Sequence, residues 1–201
     1  MEITVDMVKS LREVTGAGMM ECKKALQEAK GDVEQAKKIL RAHGAEVAEK
    51  RAGRVAKQGV VEAYIHAGGR IGAMVELNCE TDFVARTNEF KQLAKDIAMQ
   101  ITAMNPLVVS LEELPKELVE KETKDYLEQA QSEGKPKEAL EKIVEGRLEK
   151  YYQEVVLLEQ AFIKDPQRSI KELVAEMSGK TGEMVSIRRF QRFELGVDGS
   201  K

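Results

Sequence analysis

The chain has 201 residues and a formal net charge of -3, with 33% charged and only 4% aromatic residues. This length fits one medium domain or two small ones, and 42% hydrophobic residues are enough for a globular core. The acidic balance argues against bulk binding of nucleic acid, which needs a strongly basic face. No apolar run approaches the ~18 residues of a membrane span.

The cysteines and the N-terminal residues indicate the cellular compartment. Cys22 and Cys79 have neither a CxxC spacing nor a histidine cluster nearby, which argues against a zinc site and a disulfide scaffold. The first residues lack the basic-then-apolar pattern of a signal peptide. We therefore expect a cytoplasmic protein with two reduced cysteines and without a bound metal or cofactor.

Residues 1–44 are predicted to form a module of three short helices. The second runs from about Met19 to Ala29, and Gly44 ends the third. The apolar positions recur at helical spacing: Val8, Leu11, Val14, Met19, Cys22, Leu26, Ala29, Val33, Ala36, Ile39 and Leu40. Met19 and Met20 are adjacent, so both cannot face the core, and an exposed methionine suits a protein contact. The module resembles a ubiquitin-associated bundle.

The next segment predicts a linker, a hairpin and a helix. Residues 45–58 are polar and basic and are expected to form a helical linker. Apolar and polar residues alternate over 59–78, and Gly68-Gly69 can supply the positive φ values of a hairpin turn. Residues 87–104 predict an amphipathic helix that buries Phe90, Leu93, Ile97 and Ile101.

The C-terminal half predicts a helical hairpin, a further helix and a strand. Glutamate and lysine dominate residues 111–150, which we expect to form an antiparallel coiled-coil hairpin inserted in the core. Residues 151–178 predict helix, interrupted at Asp165-Pro166, and residues 184–193 alternate as a third strand. The predicted fold of residues 59–201 is an α+β core with helices packed on a small antiparallel sheet.

A polar turn follows the second strand in the sequence ELNCETDFVAR, residues 76–86. Thr81 and Asp82 are good N-cap residues, so Phe83 is expected just past a strand end, on a tight turn that enters a helix. The residues alone favour a capping role for Asp82. They do not decide whether Phe83 packs in the core or projects to make a contact.

Two long motifs carry a family resemblance. ELNCETDFVAR and LREVTGAGMMECKKAL, residues 11–26, are similar to the two signatures of bacterial elongation factor Ts. The resemblance implies a guanine-nucleotide exchange factor for the GTPase elongation factor Tu, acting by protein–protein contact and not as an enzyme. It implies that Thr81, Asp82, Phe83 and Val84 insert near the bound magnesium of the GTPase. It also implies that the N-terminal module docks on the nucleotide-binding domain, where we expect Arg12, Met19, Met20 and Lys23 to make contact.

The chain departs from the longer members of that family. It has room for one strand–helix core module where long members carry two, and its similarity to short members implies a homodimer. Ala161 stands where the family usually has proline, and Val197 where an acidic residue is common. Both differences are expected to affect local loops only.

Two other classes of function stay open at this stage. An RNA-binding translation accessory protein could use Arg188, Arg189 and Arg192, which alternate with phenylalanines, although the acidic net charge disfavours direct binding of nucleic acid. A binding module could recognise ubiquitin-like or peptide partners through the three-helix bundle. The lone His66 has no catalytic partner at a recognisable spacing and is expected to be structural.

Overall fold

The computed structural model describes residues 3–51 and 53–197, which form an α+β fold. The helices are α1 (Val5–Thr15), α2 (Met19–Glu28), α3 (Val33–Arg51), α4 (Asp82–Ala85), α5 (Asn88–Met104), α6 (Lys116–Ser132), α7 (Lys137–Val155) and α8 (Ile170–Thr181). The strands are β1 (Gln58–Ile65), β2 (Ile71–Cys79), β3 (Ala161–Phe162), β4 (Asp165–Ser169) and β5 (Ser186–Glu194). Each described helix is too short or too polar to traverse a bilayer.

A three-stranded antiparallel sheet has the order β1-β2-β5. The β1–β2 hairpin lies where the alternating pattern predicts it, and Gly68 and Gly69 take φ values of 91° and 66° in its turn. These values lie in the left-handed region, which only glycine adopts without a steric cost. The predicted hairpin is therefore confirmed, together with the glycines that turn it.

The chain divides into two compact units, and these three strands contribute residues to both. The first unit holds the residues up to Glu62, Glu76–Ala94 and Glu172–Arg188. The second holds Ala63–Val75, Lys95–Lys171 and the residues from Arg189 onward.

In the first unit, α1, α2 and α3 surround a small apolar core. Its buried residues are Val8, Leu11, Cys22, Ala25, Leu26, Ala29 and Ala36. Three residues assigned to this core from the helical spacing, Val14, Met19 and Val33, are exposed instead. Val14 and Met19 lie near the α1–α2 connection and Val33 begins α3, and helix ends project beyond a core this small.

The prediction that Gly44 ends the third helix is wrong, because α3 continues to Arg51. Gly44 is buried where α3 meets α8, and a Cβ added at Gly179 of α8 would lie 2.8 Å from the Cα of Gly44. These glycines therefore allow two helix backbones to approach closely. The expected helical linker accordingly begins as the last two turns of α3, and β1 starts at Gln58.

In the second unit, α6 and α7 pack together as a helical hairpin over a narrow apolar strip that includes the buried Ala130 and Val144. The helix predicted over 151–178 is confirmed for residues 151–155 and wrong for residues 156–169. Beyond the end of α7, β3 and β4 form a two-stranded antiparallel sheet, and helix resumes only at Ile170. The buried Gln100 secures this small sheet, since its side chain donates to Ala161 O at 3.0 Å and accepts from Ile163 N at 2.9 Å.

Candidate partner-binding site

The sequence ELNCETDFVAR forms a strand end, a capped turn and a single helical turn, as the pattern of residues predicts. Strand β2 ends at the buried Cys79, and Thr81 is the N-cap of α4, where its hydroxyl accepts from Val84 N at 3.5 Å. Thr87 caps the next helix, since its hydroxyl accepts from Phe90 N at 3.3 Å. We call Thr81–Val84 the 81–84 turn.

Phe83 projects from this turn into solvent. Its side chain is 81% exposed, the largest exposed fraction among the large hydrophobic side chains of the described residues. Ala85 is the buried residue of α4, so the core holds this segment only beyond the turn. Asp82 pairs with Arg86 at 2.7 Å, but both side chains are well exposed, and such pairs contribute little to stability.

A carboxylate from a distant part of the sequence holds the turn. Glu183 follows α8, and its Oε2 accepts from Glu80 N at 3.1 Å and from Thr81 N at 3.0 Å. Its Oε1 accepts from the Thr81 hydroxyl at 2.6 Å. Hydrogen bonds to an ionised carboxylate are shorter and stronger than neutral ones. Both backbone amides that enter the turn are thus bound to one side chain.

A second carboxylate, that of Glu80, binds the backbone of the segment that carries Glu183. Glu80 Oε1 accepts from Met184 N at 2.7 Å, so each of the two segments donates backbone N–H groups to a glutamate of the other. Arg54 Nη1 lies 3.3 Å from Glu80 Oε2, and Arg51 Nη1 lies 3.6 Å from Oε1. The Met184 N–H, followed by Arg54 and Arg51, holds the pKa of Glu80 below its usual value. Sequence reasoning missed both glutamates.

Cys79 binds the backbone of the turn through its buried thiol. Its thiol donates to Thr81 O at 3.1 Å. Burial, reinforced by the charge of Glu183, raises the pKa of Cys79 to about 11, so the sulfur stays protonated at neutral pH. Both cysteines of the chain are free and buried.

The second group of predicted contact residues lies on the three-helix bundle. Arg12 is an exposed residue of α1, and Met19, Met20 and Lys23 are exposed residues of α2. Met20 is 65% exposed and Met19 38%, so both methionines are accessible and not only one of them. Gly16, at φ 67°, connects the two helices beside the side chain of Lys180, whose ammonium lies 3.2 Å from Glu89.

Two of the remaining polar candidates, His66 and Arg192, are engaged in structural contacts. His66 Nδ1 lies 3.1 Å from the hydroxyl of Tyr64 on the same hairpin. Arg192 Nε donates to Thr102 O at 3.2 Å and its Nη1 lies 2.9 Å from Glu194, which leaves its side chain 15% exposed. Among residues 3–51 and 53–197, no cluster of three or more histidine, cysteine or acidic side chains could hold a metal ion.

Comparison with known proteins agrees with these motifs over nearly the whole chain. The sequence profile of the family described as "Elongation factor TS" matches residues 2–197. The elongation factor Ts of Carboxydothermus hydrogenoformans is 60% identical over 194 residues, which are 96% of this chain and 89% of that protein. The elongation factor Ts of Thermotoga neapolitana is 51% identical over 199 residues, which are 99% of this chain and 100% of that protein. This chain therefore belongs to the elongation factor Ts family.

Proposed function

We propose that this protein is a cytoplasmic guanine-nucleotide exchange factor that binds GDP-bound elongation factor Tu and promotes release of GDP during translation elongation. The observation that carries the proposal is the exposed Phe83 on a turn whose backbone is fixed by hydrogen bonds, in a chain of this family. Exchange of this kind breaks no covalent bond, so the protein needs no catalytic nucleophile, metal or cofactor of its own.

The chemistry of a GTPase site explains how an inserted turn releases nucleotide. Magnesium neutralises the phosphate oxygens together with backbone amides and a lysine. A segment that displaces the groups around magnesium removes a large local charge, so the phosphates are held less tightly. Thermodynamic linkage requires nucleotide and exchange factor to weaken each other's binding by the same factor. The direction of net exchange then follows the nucleotide pools.

Phe83 is suited to this insertion because almost all of its apolar surface is unused in the free protein. Full burial of a phenylalanine side chain is worth about 1.5–3 kcal/mol. Because Phe83 is 81% exposed, nearly all of that free energy is available on binding. We assign Thr81, Asp82 and Val84 to the same inserted segment, with Thr81 fixing its backbone.

The three-helix bundle is proposed to provide affinity for elongation factor Tu and not to displace the groups around magnesium. Met19 and Met20 offer exposed, flexible apolar surface, and Arg12 and Lys23 add positive charge beside it. Charged residues around an apolar contact set orientation and association rate more than affinity. In this division of roles, α1 and α2 hold the nucleotide-binding domain while the 81–84 turn acts on the magnesium site.

The protein is further proposed to be a homodimer. On the second unit, Ala63, Ile65, Met74, Phe193 and Leu195 line an open groove, and Ile65 is 70% and Phe193 65% exposed. A soluble monomer rarely exposes a continuous apolar face of this kind. A second copy would cover it with the same residues through a two-fold axis. Ile65→Glu should give a monomer in sedimentation velocity, whereas Leu107→Glu, at another exposed apolar position, should leave the mass unchanged.

The decisive experiment is release of a fluorescent GDP from purified elongation factor Tu at catalytic ratios of this protein and fixed magnesium. The proposal requires strong acceleration by the wild-type chain. Phe83→Ala should lower the maximal release rate by about 30-fold, the equivalent of about 2 kcal/mol, and weaken docking less. Leu107→Ala is the matched control, because it removes exposed apolar surface outside the proposed site.

Two results would contradict the proposal. The absence of acceleration by a folded protein with an active GTPase would exclude exchange activity. Equal losses of rate and affinity on Phe83→Ala would make Phe83 an anchor and not a displacing group. An RNA-binding role is disfavoured because Arg192, one of its three arginines, is committed to Thr102 and Glu194.

A further inference from the structure

We propose that Glu183 is a positioning residue for exchange: it fixes the direction in which the 81–84 turn presents Phe83. This inference rests on the proposed function for its consequence, but its structural part concerns the free protein alone. Glu183 lies 102 residues from Thr81 in sequence, outside both motifs that identify the family.

The first step is that packing does not hold the turn. Phe83 is 81% exposed, Thr81 is exposed and Val84 is half-buried, so apolar contacts cannot fix the turn's orientation. Helix α4 has only four residues, and a helix this short has little stability of its own. The turn must therefore be held by its polar contacts.

The second step is that three of those contacts, at the start of the turn, converge on one side chain. Three donors bind the Glu183 carboxylate: the amides of Glu80 and Thr81 and the hydroxyl of Thr81. By donating its proton to Glu183, the Thr81 hydroxyl directs a lone pair towards Val84 N, which it caps. Glu183 thus fixes both the backbone that enters α4 and the cap that starts it.

The third step is that Glu183 is itself fixed. Its own amide donates to the Thr181 hydroxyl at 3.3 Å, and the next amide, Met184 N, donates to Glu80. Gly182 takes φ 68°, which bends the chain between α8 and Glu183. A carboxylate held at the end of α8 is a rigid support, and an inserted group acts most effectively when its geometry is set before binding.

The chain allows a direct test because it contains no tryptophan. In a Phe83→Trp variant, the single indole reports the motion of the turn through time-resolved fluorescence anisotropy of the unbound protein. Adding Glu183→Ala should increase the amplitude of nanosecond motion of this indole, while Glu128→Ala, which removes an exposed partner of Lys124, should not. Unchanged motion after Glu183→Ala in a folded protein would overturn the proposal, whatever the exchange activity.

Exchange kinetics supply the second test through a double-mutant cycle. Glu183→Ala should lower the maximal rate of GDP release about tenfold, the equivalent of one lost charge-assisted hydrogen bond. In a Phe83→Ala background it should cause a much smaller loss, because a positioning residue acts through the group it positions and Phe83 is the main such group. Losses that multiply would show that Glu183 acts independently of Phe83 and would refute the inference.

A conservative variant covers the case in which Glu183→Ala does not fold. Glu183→Gln retains an oxygen that can accept from both backbone amides, so it should keep most of the rate and leave the indole of the Phe83→Trp variant nearly as restrained as glutamate does. Should the indole be as mobile with glutamine as in Thr81→Ala, which removes the hydroxyl contact to Glu183 and the cap on Val84 N, the proposed geometry is wrong. If the wild-type protein fails to accelerate release, the proposed function fails, while the anisotropy result still decides the positioning role.

Discussion

Where α3 crosses α8, one interatomic distance decides whether Gly179→Ala stabilises or destabilises the protein. Both helices approach at glycines, and a Cβ added at Gly179 would lie 2.8 Å from Gly44 Cα. Carbon atoms in contact normally lie about 3.5–4.0 Å apart. Because the obstructing atom belongs to the backbone, it cannot rotate away, and Gly179→Ala must push the two helices apart by roughly 1 Å.

Two effects of opposite sign determine how much Gly179→Ala changes the free energy of unfolding. Forcing extra volume into a packed contact costs about 1–3 kcal/mol, while replacing a helical glycine by alanine gains up to about 1 kcal/mol. We therefore expect Gly179→Ala to lower the free energy of unfolding by about 1–2 kcal/mol. For a chain of this size, each kcal/mol corresponds to a shift in Tm of about 2–4 °C.

The control is the same substitution at a helix position that no other part of the protein approaches. Gly146 lies inside α7, and a Cβ there would meet nothing within 4 Å. Gly146→Ala should raise Tm and Gly179→Ala should lower it, both measured by calorimetry on the full chain. If both variants are stabilised equally, the close approach of α3 and α8 does not exist in solution. In that case the contact with α8 does not explain why α3 continues through Gly44.

Three further predictions concern the candidate site. Phe83→Ala should leave Tm unchanged, since the side chain is 81% exposed, and a large fall in Tm would show that Phe83 packs in the free protein. The pKa of Glu80 is lowered in the folded state, so its stabilisation is complete above its usual value of 4.5 and is lost as pH falls below it. Urea midpoints of wild type and Glu80→Gln should therefore converge under acid conditions, and a constant difference would exclude this contribution. Burial raises the pKa of Cys79 to about 11 from the ordinary 9.0, so its stabilisation is present below pH 9.0 and lost towards 11. Cys79→Ala should flatten this alkaline loss in thermal scans, and an unchanged profile would refute it.

Local signals in the sequence predict the parts of the fold that local forces determine. The hairpin depends on alternation and on two adjacent glycines, and the helix that the apolar spacing predicts over 87–104 is α5, Asn88–Met104. The two errors in secondary structure, at Gly44 and within residues 151–178, arise where tertiary contacts decide. Gly44 reads as a helix end because glycine is a poor helix former, but its lack of a side chain serves the contact with α8.

The small β3–β4 sheet could not be predicted from its own residues. Phe162 is the buried residue of its first strand, and Asp165-Pro166 resembles an interruption within a helix. What stabilises the sheet is the buried side chain of Gln100, more than 60 residues away in sequence, which binds Ala161 O and Ile163 N. A single polar partner of this kind leaves no periodic pattern in the sequence.

The candidate site shows the same division between local and distant causes. The cap by Thr81 follows from neighbouring residues and agrees with the sequence expectation. The residues alone do not decide between core packing and projection for Phe83, and the fold shows that it projects, while its binding role stays a prediction. Glu183 could not be identified in advance, because SGKTGEMVSIR contains no motif and its partners lie about a hundred residues away. Only the fold shows which glutamate meets the turn.

In the proposed function Phe83 enters a partner, and an apolar group that does so cannot also be held by its own core. Burying Phe83 would fix its direction but would remove the surface that binding needs. Hydrogen bonds from Glu183 fix the backbone instead and leave the side chain free. Because Gly179 lies only four residues before Glu183, a displacement of α8 at its crossing with α3 should also shift this support. Gly179→Ala should therefore slow nucleotide release as well as lower Tm, whereas an equally destabilising substitution in the α6–α7 hairpin, such as Val144→Ala, should lower Tm alone.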